Sequence, residues 1–184
     1  MYTRWMRSTS HMRRLVLMML VGCGSSDETS FAGTYVIQDW TENLASCDAP
    51  GPSILSGQQD RGVMVKNADF LGQKFVNTTT CFDTEECNRF LHDNTLHLPF
   101  ALDSGSDADG WSGDFVVAFD NTTACSGDVT HAILTGEGDG VTLRIEKTHL
   151  ASFPRDASDA CTTDDAQTVA KTVPCTSVQI ITAL

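Results

Sequence analysis

No acidic residue occurs among the first 26 positions, and no apolar run in the 184-residue chain reaches the ~20 residues of a membrane-spanning helix. Cations are scarce everywhere else. After Cys23 only eight Lys and Arg face 24 Asp and Glu, a formal charge of −16. Nucleic acid and anionic head groups are bound through Lys/Arg clusters, so neither is an expected partner of that surface. No Cys-x-x-Cys occurs and no His stands at ligand spacing from a cysteine pair, which argues against a zinc site. No Gly-x-Ser-x-Gly elbow marks a hydrolase nucleophile. Gly136-Glu-Gly138-Asp-Gly140 lacks the Gly-x-Gly-x-x-Gly spacing and the strand–helix setting of a phosphate cradle. Glutamate is outnumbered by aspartate, six to 18, a bias toward turns rather than helices.

What is present near the N-terminus is more specific. Arg4, Arg7, Arg13 and Arg14 precede Leu15-Val-Leu-Met-Met-Leu-Val21, and Gly22-Cys23 follows. A basic segment, a short apolar segment and a small residue are the parts of a secretory signal peptide. Leu20-Val21-Gly22-Cys23 resembles the lipobox of bacterial lipoproteins. The resemblance covers the first 23 residues and implies that residues 1–22 are removed and that Cys23 carries the acyl chains, palmitate among them. Two or three chains hold a protein firmly to a bilayer where one does not. Gly24 rather than Asp follows the cysteine, which implies the outer membrane of the cell envelope. On this reading Gly24 to Ser30 is a polar tether, and 31–184 is a single domain long enough to bury a core.

The other six cysteines, Cys47, Cys81, Cys87, Cys125, Cys161 and Cys175, are an even number in an exported chain and read as three disulfides. Fifteen connectivities are open. Cys81 and Cys87 bracket a helix start, so that pair is expected first. Cys161–Cys175 is expected next, provided the chain doubles back through Val173-Pro174, and Cys47–Cys125 is left by elimination.

From Phe31 onward short β-branched and aromatic stretches alternate with turn clusters. Strands are predicted over 33–40, 62–66, 73–80, 95–102, 111–119, 129–134, 141–147 and 177–184. Two short helices are predicted, one opened by Asp83 with Glu86 three residues on, the other over 162–171 with Asp164 and Asp165 in its first turn. The expected fold is mainly β, an antiparallel barrel or sandwich with two short helices, stapled by disulfides. Gly33-Thr34-Tyr35 resembles the Gly-x-Trp signature on the first strand of lipocalin-like barrels, with Tyr in place of Trp, and so tilts the expectation toward a barrel.

Candidate ligands are few. Asp103, Asp107, Asp109 and Asp114 lie in a Ser/Gly-rich stretch, and Asp107-x-Asp109-Gly110 has the alternating carboxylates and the glycine of a calcium loop. Aligned to such a loop, however, Gly105 and Val116 fall where the first and the bidentate ligands belong. The stretch is therefore read as a turn between two strands and no cofactor is expected, calcium being the one candidate to weigh against that. His92, His97, His131 and His149 read as isolated residues of a helix end and of strands. The functional expectation is a monomeric, membrane-tethered envelope lipoprotein acting as a non-catalytic binding or surface-structural module. Its partners would be the bilayer, through Cys23, and an unidentified envelope ligand or protein. The alternative is an envelope hydrolase with a dispersed site.

Overall fold

Val63, Met64 and Val65 are successive residues and all three are fully buried, which a strand achieves only with apolar matter on both faces. They belong to β2 (Gly62–Phe70). The structure is a computed structural model describing residues 28–93, 97, 100–120, 124–156 and 159–184. The expected signal segment and Cys23 lie outside the described residues.

The other strands are β1 (Gly33–Asn43), β3 (Gln73–Cys81), β4 (Phe100–Leu102), β5 (Ser104–Ser106), β6 (Gly110–Asp120), β7 (Cys125–Glu137), β8 (Gly140–Phe153) and β9 (Ser177–Ala183). All pairings are antiparallel and join strands consecutive in sequence, except that β9 returns to β1. The result is an up-and-down barrel, nearly closed. Its two ladder edges, β4 and β5, are joined through the single residue Asp103, and β4 packs against β6 across the remaining seam. Gly113 permits that approach, because a Cβ there would lie 2.2 Å from the carbonyl oxygen of Ala101.

Eight of the nine strands contribute to one buried cluster that includes Ile37, Trp40, Val65, Val76, Leu102, Trp111, Leu134, Leu143 and Ile181, and this cluster fills the barrel. Each helix covers a patch of the outer wall. The first, α1 (Thr84–His92), is capped by the Asp83 carboxylate, which accepts from the backbone N–H of Glu86 at 2.8 Å, and it buries Cys87 against Met64 and Cys81. The second, α2 (Thr163–Ala170), is capped by Thr162 and lays Ala166 over Val116, Val129, Leu150 and Phe153. Met64 therefore faces α1 while its neighbours face the interior, which accounts for the Val-Met-Val run.

Three disulfides are formed, with Cα–Cα separations of 5.8 Å for Cys47–Cys175, 5.4 Å for Cys81–Cys87 and 5.4 Å for Cys125–Cys161. The expected Cys161–Cys175 and Cys47–Cys125 pairs are corrected by this pattern. Topology supplies the reason. Antiparallel pairing sets the C-terminal end of β1 beside the start of β9, where Asn43 is opposite Val178, so Cys47 and Cys175 meet just beyond that ladder. Cys161 precedes α2 and is joined to Cys125 at the first residue of β7, while α2 keeps it apart from Cys175.

Candidate functional site

The barrel has two unlike ends. At one end lie the tight turns 71–72, 107–109 and 138–139, the last residues of β9 and the start of β1. There the chain from Glu28 to Phe31 crosses the barrel. Phe31 sits over β7 at Gly136, where a Cβ would fall 2.2 Å from its ring, and its carbonyl accepts from the Tyr35 hydroxyl at 2.7 Å. Burial raises the Tyr35 pKa. Thr29 is 4 % exposed, with its backbone N–H donating to Asn67 Oδ1 at 2.8 Å and its carbonyl accepting from Asn67 Nδ2 at 3.0 Å. One residue earlier, Glu28 meets Lys74 at 3.2 Å.

Asp107 gathers these parts. Its Oδ1 accepts from the Thr29 hydroxyl at 2.6 Å and from the indole N–H of the fully buried Trp111 at 2.8 Å. Its Oδ2 accepts from the backbone N–H and hydroxyl of Ser30 at 2.7 and 2.6 Å. Desolvation pushes this carboxyl up, but the bonds from Ser30, Thr29 and Trp111 together outweigh it and hold the pKa well below the usual carboxylate range. Glu28 to Ser30 thus belong to the folded domain, and the expected boundary at residue 31 moves toward the N-terminus. Only four residues, Gly24 to Asp27, separate Glu28 from Cys23.

The four calcium candidates are directed to different partners. Asp107 is committed to the barrel end, Asp109 Oδ2 accepts from the Ser106 hydroxyl at 2.9 Å, and Asp103 Oδ1 accepts from Ser104. Asp114 faces the outer wall beside α2. Among the described residues no three His, Cys, Asp or Glu side chains gather as a metal site.

Three of the four candidate histidines are not isolated. Asp114 lies directly opposite His131 in the β6–β7 register, with Oδ1 2.6 Å from Nδ1, and Gln167 of α2 donates to Asp114 Oδ2 at 3.0 Å. The His131 bond and charge lower the Asp114 pKa against desolvation, and the same bond raises that of His131. Asp128 and His149 repeat the cross-strand arrangement at 2.8 Å on the β7–β8 ladder. His97 Nε2 lies 2.6 Å from Asp93, and its ring stacks on Phe90 at 3.8 Å, whereas His92 is exposed at the end of α1. Nothing in the spacing of the residues announced the two cross-strand pairs, since only strand register brings 114 to 131 and 128 to 149.

Comparison of the chain with protein-family models, with curated proteins and with solved structures found no match.

Proposed function

We propose that this chain is an envelope lipoprotein, anchored through acyl chains on Cys23, whose disulfide-stapled barrel is a non-catalytic binding or surface-structural module. The observation that carries the reading is the clasp of Asp107 on Thr29 and Ser30. It fastens the chain to one end of the barrel just after the lipobox cysteine, so a lipid on Cys23 holds a rigid body at a fixed end. Three disulfides fit an oxidising compartment beyond the cytoplasm. The interior is packed with side chains, so a partner is met on the outer surface or at the ends.

The hydrolase reading has one observation in its favour, the Asp114–His131 pair, which has the carboxylate–imidazole arrangement of a general base. The groups acting on it include Gln167, Glu146 and Lys171. Both readings are separated by working with the native full chain. Intact-mass analysis of membrane fractions is expected to give loss of residues 1–22 and an acyl adduct on Cys23, and Cys23→Ala is expected to release the protein from the membrane. A broad hydrolase screen of the same material is expected to show no turnover. Turnover that disappears in His131→Gln while the fold persists would transfer the proposal to the enzyme.

A further inference from the structure

The β2–β3 hairpin turns through Leu71 and Gly72, with Phe70 paired to Gln73. Both turn residues have positive φ, 56° and 84°. Such two-residue turns favour Asn, Asp or Gly at the first position, because a side-chain Cβ is strained in the left-handed region. A leucine there gains nothing from the fold. It is 88 % exposed, more than any other large apolar side chain among the described residues. An apolar residue held in a strained conformation in solvent is an observed outlier from which a role can be inferred.

Its position supplies the occupant. Going back along the chain, Thr29 is bound at Asn67 and Glu28 at Lys74. In the register Asn67 faces Val76, and Lys74 faces Asp69 closer to the turn. The N-terminal segment therefore runs along the hairpin toward its tip, three residues from Leu71 when it reaches Lys74. From Glu28 the chain to Cys23 can extend at most about 18 Å. Resting on the lipoprotein reading above, we infer that the Leu71–Gly72 hairpin tip contacts the bilayer surface, inserting Leu71 among the head groups beside the acylated cysteine. The tip would then act as a second foot that fixes the barrel's orientation. Locally the charge is small, since Lys74 pairs with Glu28 and leaves Asp69, whose carboxylate accepts from the N–H of Gly72 at 3.0 Å.

The test uses the full-length lipidated protein reconstituted in phosphatidylethanolamine/phosphatidylglycerol vesicles that contain a nitroxide lipid. An environment-sensitive fluorophore is placed by Gln73→Cys beside the tip, or by Gln59→Cys in the exposed loop before β2 at the opposite end. The label at 73 is expected to shift to the blue, to be quenched by the nitroxide lipid and to be shielded from aqueous iodide, while the label at 59 shows none of these. Adding Leu71→Asn, which suits the turn, is expected to return the label at 73 to an aqueous environment with the fold intact. An acyl group on Cys23 with both labels equally open to iodide overturns the hairpin contact and leaves the anchor standing. Shielding at 73 that appears without vesicles as protein concentration rises would assign the tip to a second copy of the chain and overturn the bilayer contact. Absence of the acyl group in the intact mass overturns the anchor, and the hairpin inference falls with it.

Discussion

The two ends of the barrel are closed by different physics. At the end that carries the N-terminal clasp the strands are joined by turns of two or three residues, and hydrogen bonds to one carboxylate complete the seal. At the other end three of the four connections are long, 44–61 from β1 to β2, 82–99 holding α1, and 154–176 holding α2, while β6 passes to β7 through 121–124. All three disulfides sit there. The division follows from chain entropy. A tight turn loses little freedom on folding, whereas long connections retain much of theirs in the unfolded chain, and a cross-link that closes a large loop removes the most. The first of these connections also folds back, with the N–H of Ile54 donating to the Trp40 carbonyl at 2.7 Å and Ile54 and Leu55 packed on the core.

The largest expected effect comes from opening the stapled end. Cys47–Cys175 spans a sequence separation of 128, against 6 for Cys81–Cys87. Chain entropy assigns them about 5 and about 2.4 kcal/mol. Cys47→Ser with Cys175→Ser should therefore lower the unfolding free energy by roughly twice as much as Cys81→Ser with Cys87→Ser, read from denaturant unfolding with midpoint and slope both fitted, since freeing the unfolded chain also steepens the slope. Equal losses would mean that loop length is not what distinguishes this end.

The clasped end breaks through Asp107. Asn at this position keeps one acceptor oxygen but turns an NH₂ group toward either the Ser30 or the Trp111 donors. The loss expected for Asp107→Asn is about 2 kcal/mol, since bonds to a charged acceptor contribute more than neutral ones and the buried indole N–H loses its partner. The carboxyl is held below its ordinary value of 3.8, so its contribution is complete above that pH and is lost as pH falls through the lowered value. Protection factors of the amides of residues 29–31, taken against the intrinsic exchange rate at each pH, should fall in acid in the native protein and be low at every pH in the variant. A clasp equally protected in both would sink the role given to Asp107.

The fold was legible where periodicity and capping speak locally. The β-rich class, both helices and the seven strands on 33–40, 62–66, 73–80, 111–119, 129–134, 141–147 and 177–184 follow from alternation, turn residues and first-turn acids; all appear, six of them longer than expected and the last ending one residue earlier, at Ala183. Of the strand expected over 95–102, Phe100–Leu102 is found, and 94–96 and 98–99 lie outside the described residues. The disulfide partners of Cys47 and Cys161 were not legible, because they depend on which strand ends lie side by side. Asp107 was visible as a carboxylate in a turn, but its partners Thr29, Ser30 and Trp111 have no sequence pattern linking them. One signal was available, since a buried indole N–H usually finds an acceptor, as that of Trp111 does at Asp107, although Trp40 Nε1 meets none among the described residues.

Leu71 sharpens the comparison from the clasped side. If the tight turns at that end are optimised for folding, none should improve on substitution. The hairpin tip is expected to break that rule. Leu71→Asn relieves a left-handed leucine, 88 % exposed, and should raise stability of the detergent-solubilised protein by about 1 kcal/mol, seen as a higher Tm. An unchanged or lower Tm would show that the turn itself selects leucine.

The smallest effect belongs to neither end but to the wall between them, and it provides a reference for both. His131 and Asp114 are partly exposed, 40 % and 37 % at the side chain, so solvent screening limits their pair to about 0.5 kcal/mol. Its pH dependence nevertheless has a defined sign. The His131 pKa is raised above 6.5, so its contribution is complete below that pH and is lost as pH rises through the raised value. The Asp114 pKa is lowered below 3.8, so its contribution is complete above that pH and is lost as pH falls further. The pair therefore stabilises most between pH 3.8 and 6.5. Gln167 ties the pair to α2, and Glu146 and Lys171 add charges that act in the same directions on His131 and Asp114. His131→Gln should remove the fall in stability above pH 6.5 while leaving the acid response of the Asp107 clasp unchanged. A variant that loses both dependences together would show that α2 and the clasped end unfold as one unit, and the distinction between wall and end would disappear.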